Sequence, residues 1–266
     1  MAPTLFPHRL QRRVLGVTSG RRHNVNQACS RTAFSCYPLP YASRASAIEA
    51  LSVEEVMTVP TAVFLFDKTG NMARPWAEAG YRCICFDIQH AGRTVRDGII
   101  FQQWDALIGP PALPPDSLIV FGFAFPPCTH LAVSGARWFQ GKGLRALSQS
   151  IEMFAAAAEF LESLDCPYGI ENPVSVISTH WRKPDYTFHP YEFTGFELTD
   201  NYSKKTCIWA GGGFEMPAPN RADGLDAPDN RIHAAPPSDD RGDIRSATPM
   251  GFSRAVFAVN AKQLTA

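Results

Sequence analysis

The sequence has no apolar run near the roughly 18 uninterrupted residues that a membrane span requires. Its most apolar helical stretch, residues 151–161, is broken by Glu152 and Glu159, so no partnership with a membrane is expected. Net charge is missing too. Twenty-five Lys and Arg balance 25 Asp and Glu, so no overall field draws the chain to nucleic acid, and any such contact must use a local patch. Cys-x-x-Cys pairs are absent. The seven cysteines, Cys29, Cys36, Cys83, Cys85, Cys128, Cys166 and Cys207, are odd in number and scattered, which argues against a disulfide scaffold and a structural zinc site. Reduced thiols in an intracellular, cytoplasmic protein are the natural reading, most of them small buried hydrophobes. What is present is ordinary for a globular protein: 266 residues, 45% apolar and 19% charged, for which one domain is the default.

Asp, Glu and Lys are absent from the first 48 residues, which nonetheless hold Arg9, Arg12, Arg13, Arg21, Arg22, Arg31 and Arg44. Residues 1–56 are therefore expected to be a basic, disordered extension. An acid-free leader rich in Arg and Ser resembles an organelle transit peptide, although no convincing amphipathic helix accompanies it. A basic arm for nucleic acid has the same composition. Met57, just before the first strand-like run, also fits a start site that leaves the leader without function. All three readings stay open. Fold reasoning begins at residue 57.

Residues 61–66 form a continuous apolar run, followed by the turn-like Asp67-Lys-Thr-Gly-Asn71 and a helix-like stretch at 72–79. Residues 81–86 read as a second buried strand ending at Asp87, and 117–123 as another that leads into Phe125-Pro-Pro-Cys128. Residues 144–164 have the spacing of a long helix, 168–170 lead a short strand into Glu171-Asn172-Pro173, and 252–261 look helical. This β-α-β alternation predicts an α/β fold, a doubly wound and mostly parallel sheet with helices on both faces and ligands outside the strands' carboxyl ends. Residues 182–209 interleave Lys183, Lys204 and Lys205 with Tyr186, Phe188, Tyr191, Phe193, Phe196 and Tyr202. Such a stretch serves equally as a nucleic-acid surface or as packing beneath a small β-rich or irregular insertion. Residues 217–238 read as loop.

Several residues at those strand ends suit chemistry. The turn at 67–71 lies where backbone N–H groups let a cofactor approach, and Asp87 stands where a carboxylate binds ribose hydroxyls. Two prolines before Cys128 stiffen the backbone and present one thiol in a fixed direction. A nucleophile there needs a lowered pKa, for which Arg137 and Lys205 are the candidate cations. Pro173 forces Asn172 into an extended conformation, which fixes Glu171 as an acid at the same edge. Cys128 and His130 do not make a zinc-deaminase site, which requires a His-x-Glu and a Pro-Cys-x-x-Cys that the chain lacks. No metal is expected.

In order, Phe64-Leu-Phe66 with Gly70, Asp87, Asp105, Phe125-Pro-Pro-Cys128 and Glu171-Asn172-Pro173 resemble the motif series of the DNA cytosine-5 methyltransferases, particularly the short, phage-type members. The resemblance spans residues 61–260. It implies a Rossmann-like, S-adenosyl-L-methionine-dependent methyltransferase fold over 57–266, with a reduced DNA-recognition region at about 180–250. It implies that Cys128 adds to C6 of a flipped-out cytosine, that Glu171 contacts N3 and the exocyclic amine, and that Asn172 holds the loop around Cys128. On the cofactor side, Phe66, Thr69, Gly70, Asn71, Asp87, Ile88, Asp105 and Pro126 match the S-adenosylmethionine-binding positions. Lys204-Lys-Thr206 resembles the family's later basic motif, assigning Lys205 to catalysis and Lys204, with Pro127 and Arg137, to the substrate.

The chain also departs from the family. Lys68 stands among expected small residues, Glu-Asn-Pro replaces Glu-Asn-Val, and lysines replace arginines in the basic motif. A large target-recognition domain is missing, so low sequence specificity is expected. The implied partner is DNA, double- or single-stranded, and the implied protein is a cytoplasmic monomer of a bacterial or phage-infected cell. The alternatives are a catalytically silent nucleic-acid-binding protein with the same fold, and the same chemistry on RNA or a nucleotide.

Overall fold

The computed structural model describes residues 58–262 apart from 235, 237, 239 and 240, and leaves undescribed the side chains of Trp138 and His233. The basic extension expected at 1–56 lies outside the described residues. One mixed sheet of eight strands runs in the order β3-β4-β2-β1-β5-β6-β8-β7. The strands are β1 Val59–Leu65, β2 Arg82–Asp87, β3 Arg93–Arg96, β4 Ile99–Gln103, β5 Ser117–Ala124, β6 Tyr168–Pro173, β7 Tyr186–Phe188 and β8 Thr206–Gly211. The helices are α1 Arg74–Glu78, α2 Phe139–Glu162, α3 Ile177–His180, α4 Arg231–Ala234, α5 Arg241–Ser246 and α6 Met250–Asn260.

Strand β1 is apolar at every position from Ala62 to Leu65 because both faces of the sheet are covered. Ala62 and Phe64 face one core with Trp76 of α1 and Phe252 and Val256 of α6. Val63 and Leu65 face the other, with Phe154, Ala157 and Leu161 of α2. Trp76 stacks on Phe121 at 4.4 Å and Phe188 on Phe252 at 3.9 Å between ring centroids, contacts each worth about 0.5–1.5 kcal/mol beyond the area they bury. Helix α2 is broken at Gly143, whose φ of 81° and ψ of 163° are not helical, so the continuous helix begins at Leu144, as expected from the sequence.

The central strands β4, β2, β1, β5 and β6 are parallel, and the expected α/β, mostly parallel sheet is present. The uniform β-α-β alternation is not. In sequence β3 comes between the paired parallel strands β2 and β4; it forms the sheet edge and is joined to β4 antiparallel through Asp97 and Gly98, both at positive φ. Asp-Gly at two left-handed positions is the strongest short hairpin signal, and here it overrides the crossover helix. Helix α1 is shorter than the 72–79 stretch, with Pro75 in its first turn and Gly80, at φ 89°, just beyond its end.

The region expected to form a small β-rich insertion instead extends the main sheet, because the apolar run 206–211 pairs antiparallel with both β6 and β7. Its aromatics follow: Phe188, Phe193 and Tyr202 are buried, and only Tyr186 among the larger ones is substantially exposed. As a continuous stacking surface for bases, that stretch is not available. No helix among the described residues is long and apolar enough to cross a membrane.

Candidate active site

Five parallel strands end on one edge of the sheet, and the residues that follow them make the site. After β1 the chain turns at Phe66, which takes a left-handed φ of 56°, a conformation costing about 1–3 kcal/mol for a bulky side chain. The Phe66 ring meets Trp104 edge-on at 5.0 Å. Asp67 then folds inward. Its Oδ1 accepts from the N–H of Gly70 at 2.7 Å, the N–H of Thr69 at 3.0 Å and Thr69 Oγ1 at 3.0 Å, so one carboxylate oxygen shapes the whole loop. Burial nevertheless raises the Asp67 pKa, against the pull of those donors. Gly70 is required at φ 75°, where a Cβ would also come within 2.9 Å of Phe101.

The side chains that close this loop are engaged by the segment around α5. Asn71 Nδ2 donates to Thr248 O at 2.9 Å, and Lys68 reaches Asp243 at 2.7 Å. The cation that stood among expected small residues is thus drawn to α5. Asp87 ends β2 nearly buried, with Oδ1 taken by the N–H of Gln89 at 2.7 Å. Asp105 follows β4 and spends Oδ1 on the N–H of Leu107 at 2.9 Å. Neither Oδ2 has a protein donor among the described residues. Ile88 is 56% exposed beside Asp87, and Pro126 is buried after β5.

Beyond β5 the chain runs through Pro126 and the exposed Pro127 to Cys128, which is neither buried in the core nor fully open. The Cys128 carbonyl accepts from the N–H groups of Leu131 at 3.0 Å and Ala132 at 2.9 Å, making a tight turn under the thiol. This turn is fastened to the segment after β6. Asn172 Nδ2 donates to Pro126 O at 2.8 Å, the N–H of Val133 to Val174 O at 2.9 Å, and the N–H of Val176 to Leu131 O at 3.0 Å. Asn172 therefore ties the loop that carries Cys128 to β6.

Glu171 lies on β6 opposite Ile208 of β8. Because β8 runs antiparallel, its entry residues Lys204 and Lys205 return to the edge where β6 ends. Lys204 Nζ comes 3.9 Å from Glu171 Oε1, a Coulomb contact without a hydrogen bond, and Glu171 Oε1 is buried with no hydrogen-bond partner. Burial raises the Glu171 pKa, and Lys204 opposes it. The Cys128 pKa is also raised, first by burial and then by the Glu171 charge, with Lys204 and Arg245 pulling the other way. A lowered thiol pKa, expected from Arg137 and Lys205, is therefore not found. Lys205 is exposed and acts on Cys207, and Arg137 lies exposed in a 3-10 turn, Val133–Trp138, past the nucleophile.

Four buried side-chain atoms have no hydrogen-bond partner among the described residues at the end of β6 and on the loops after β5 and β6: His130 Nδ1, Glu171 Oε1, Asn172 Oδ1 and Ser175 Oγ. Buried polar atoms are nearly always satisfied by protein, water or ligand, so these four are available to such a partner. His130, Ser175, Asp67 and Arg245 were not among the expected site residues. Only Asp67 carried a local signal, the Asp-x-Thr-Gly turn; the others depend on loops meeting across the sheet. Among the described residues, no group of three or more His, Cys, Asp or Glu side chains is placed to hold a metal ion. No known family model matches the chain, and no curated protein matches it.

Proposed function

We propose that the chain is an S-adenosylmethionine-dependent DNA cytosine-5 methyltransferase on a Rossmann-like sheet. The observation that carries this reading is Glu171: an acid with a raised pKa, one oxygen buried and unpartnered, coupled electrostatically to Cys128. A neutral carboxyl group can donate to N3 of cytosine, and an accepting oxygen can take the exocyclic amine.

The residues at the ends of β1, β2 and β4 suit the cofactor. Asp87 Oδ2 and Asp105 Oδ2 are left for ribose hydroxyls and an adenine amine, and the Phe66 ring meets that of Trp104, the residue before Asp105. Bound S-adenosylmethionine supplies an electrophilic methyl group. The chain's own residues then do the rest. Ionised Glu171 raises the Cys128 pKa, so the thiolate forms more readily when Glu171 is neutral, and neutral Glu171 with thiolate Cys128 is the reactive pair. The sulfur bonds to C6 as Glu171 passes its proton to N3, and C5 takes the methyl group as the donor's S–CH3 bond breaks and S-adenosylhomocysteine leaves. Water carries off the C5 proton, the C6–S bonding pair returns to sulfur as thiolate, and N3 gives its proton back to the Glu171 carboxylate, which restores the aromatic ring and both groups. Lys204 holds charge balance at Glu171, and Asn172 keeps the sulfur's loop in register.

A cytosine in a duplex must leave the stack first, at a cost of a few kcal/mol. An oligonucleotide containing 5-fluorocytosine, incubated with the chain and S-adenosylmethionine, is expected to give a covalent adduct mapped to Cys128. No adduct and no methyl transfer, with oligonucleotide binding intact, would establish a silent nucleic-acid-binding protein instead. An adduct formed on RNA or on a nucleotide but not on DNA would move the substrate class.

A further inference from the structure

Helix α5 is fastened beside the site without a part in the chemistry above. Asp243 holds Lys68 at 2.7 Å, and the Thr248 carbonyl just beyond the helix accepts from Asn71 at 2.9 Å. Both tethers run to the turn after β1, so α5 is set against the strand-end edge. Arg241 and Arg245 are four residues apart, which places them on one face of the helix, while Asp243 points elsewhere. Arg245 is near enough to act on the Cys128 thiol.

Neither guanidinium has a carboxylate partner among the described residues. Arg241 Nε is buried with no hydrogen-bond partner among the described residues. The arginines on either side in the chain are different: Arg231 is paired with Asp229 and Arg254 with Glu197. Arg241 and Arg245 are both partly buried on one helix face beside Cys128, where a guanidinium group gains most from an anion that a substrate brings.

We propose that Arg241 and Arg245 form a phosphate clamp that takes the sugar-phosphate backbone of the strand carrying the target base. The methyltransferase reading supplies only the identity of that base; the clamp itself requires a phosphodiester strand. Planar guanidinium groups match phosphate oxygens in pairs, and backbone contacts position a strand without reading its sequence. The clamp thus provides grip at the edge where an extruded base meets Cys128.

The test is binding of the full chain to a single-stranded oligonucleotide with one cytosine, measured by fluorescence anisotropy across a salt series. Replacing both arginines, Arg241→Gln with Arg245→Gln, is expected to weaken binding about 10-fold or more and to reduce the salt slope by about one to two. Neutral methylphosphonates at the linkages flanking the cytosine should weaken the unsubstituted chain similarly and leave the double variant unaffected. Arg245→Lys with Arg241→Lys, which keeps both charges, should preserve the salt slope and guards against a folding defect. An unchanged affinity and slope in the glutamine variant, or equal sensitivity of both chains to methylphosphonate, overturns the clamp even if methyl transfer persists. A clamp that behaves as expected in a chain that transfers no methyl group overturns the methyltransferase reading alone. No binding by the unsubstituted chain overturns both.

Discussion

The two halves of the strand-end edge handle their polar groups in opposite ways. After β1, β2 and β4, the carboxylates of Asp67, Asp87 and Asp105 each accept backbone N–H groups from their own loops. At the end of β6 and on the loops after β5 and β6, His130 Nδ1, Glu171 Oε1, Asn172 Oδ1 and Ser175 Oγ are buried without a hydrogen-bond partner among the described residues. The first half is built by short-range turns, each carboxylate spending one oxygen on its own loop. The second is built by two distant segments fastened through Asn172 and backbone hydrogen bonds. A local turn satisfies a polar group from its neighbours in sequence, whereas a long-range junction depends on how distant segments meet.

Substitutions at the second half should have the largest effects. Cys128→Ser is expected to abolish both the 5-fluorocytosine adduct and methyl transfer, read by mass spectrometry and by labelled cofactor. Glu171→Gln should slow transfer by about 10² to 10⁴-fold, the usual contribution of a positioned acid, while the chain still melts cooperatively. A variant with unimpaired transfer would remove Glu171 from the chemistry. Asn172→Ala should cost about 1–3 kcal/mol of stability, because the Pro126 carbonyl loses its buried donor; denaturant unfolding measures it.

The electrostatic coupling gives a pH test of the same half. Glu171 raises and Lys204 lowers the Cys128 pKa. Glu171→Gln should therefore shift the pH profile of Cys128 alkylation by iodoacetamide to lower pH, and Lys204→Gln to higher pH. Equal profiles would mean that the three groups are independent.

The first half responds through stability instead. The folded-state pKa of Asp67 is raised above 3.8, so its contribution is fully present below that value and is lost as pH rises through the folded-state pKa. Asp67→Asn keeps an oxygen for the Thr69 and Gly70 donors but cannot ionise. Relative to the parent, its melting temperature should improve between pH 4 and pH 8; a decline would show that the hydrogen bonds outweigh burial. The smallest effect is expected for Lys68→Ala, about 0–1 kcal/mol, because the pair with Asp243 is solvent-exposed on both sides.

Much of the central sheet was legible from apolar runs. The run at 61–66 overlaps β1, 81–86 overlaps β2, and 117–123 lies within β5, because strands buried on both faces need continuous hydrophobicity. The hairpin β3-β4 was signalled by Asp97-Gly98, but a helix-strand rhythm offered a competing expectation. The 182–209 aromatics were ambiguous in principle: Phe188 and Phe193 have the composition of a stacking surface and the burial of a core. In the site, the turns before Cys128 and after Glu171 could be read from Pro126, Pro127 and Pro173, since proline restricts the backbone locally.

The apolar runs that became β1, β2 and β5, the stiffened Pro-Pro-Cys turn and the Asp67 loop are properties of neighbouring residues, and the chain's own covalent pattern determined them. Lys204 beside Glu171, the Asn172–Pro126 bond, the raised pKa of Cys128 and the approach of Arg245 were decided by tertiary structure alone. Each joins residues dozens of positions apart. Burial, which sets the cost of every charge there, is a property of the assembled sheet and its helices rather than of any segment.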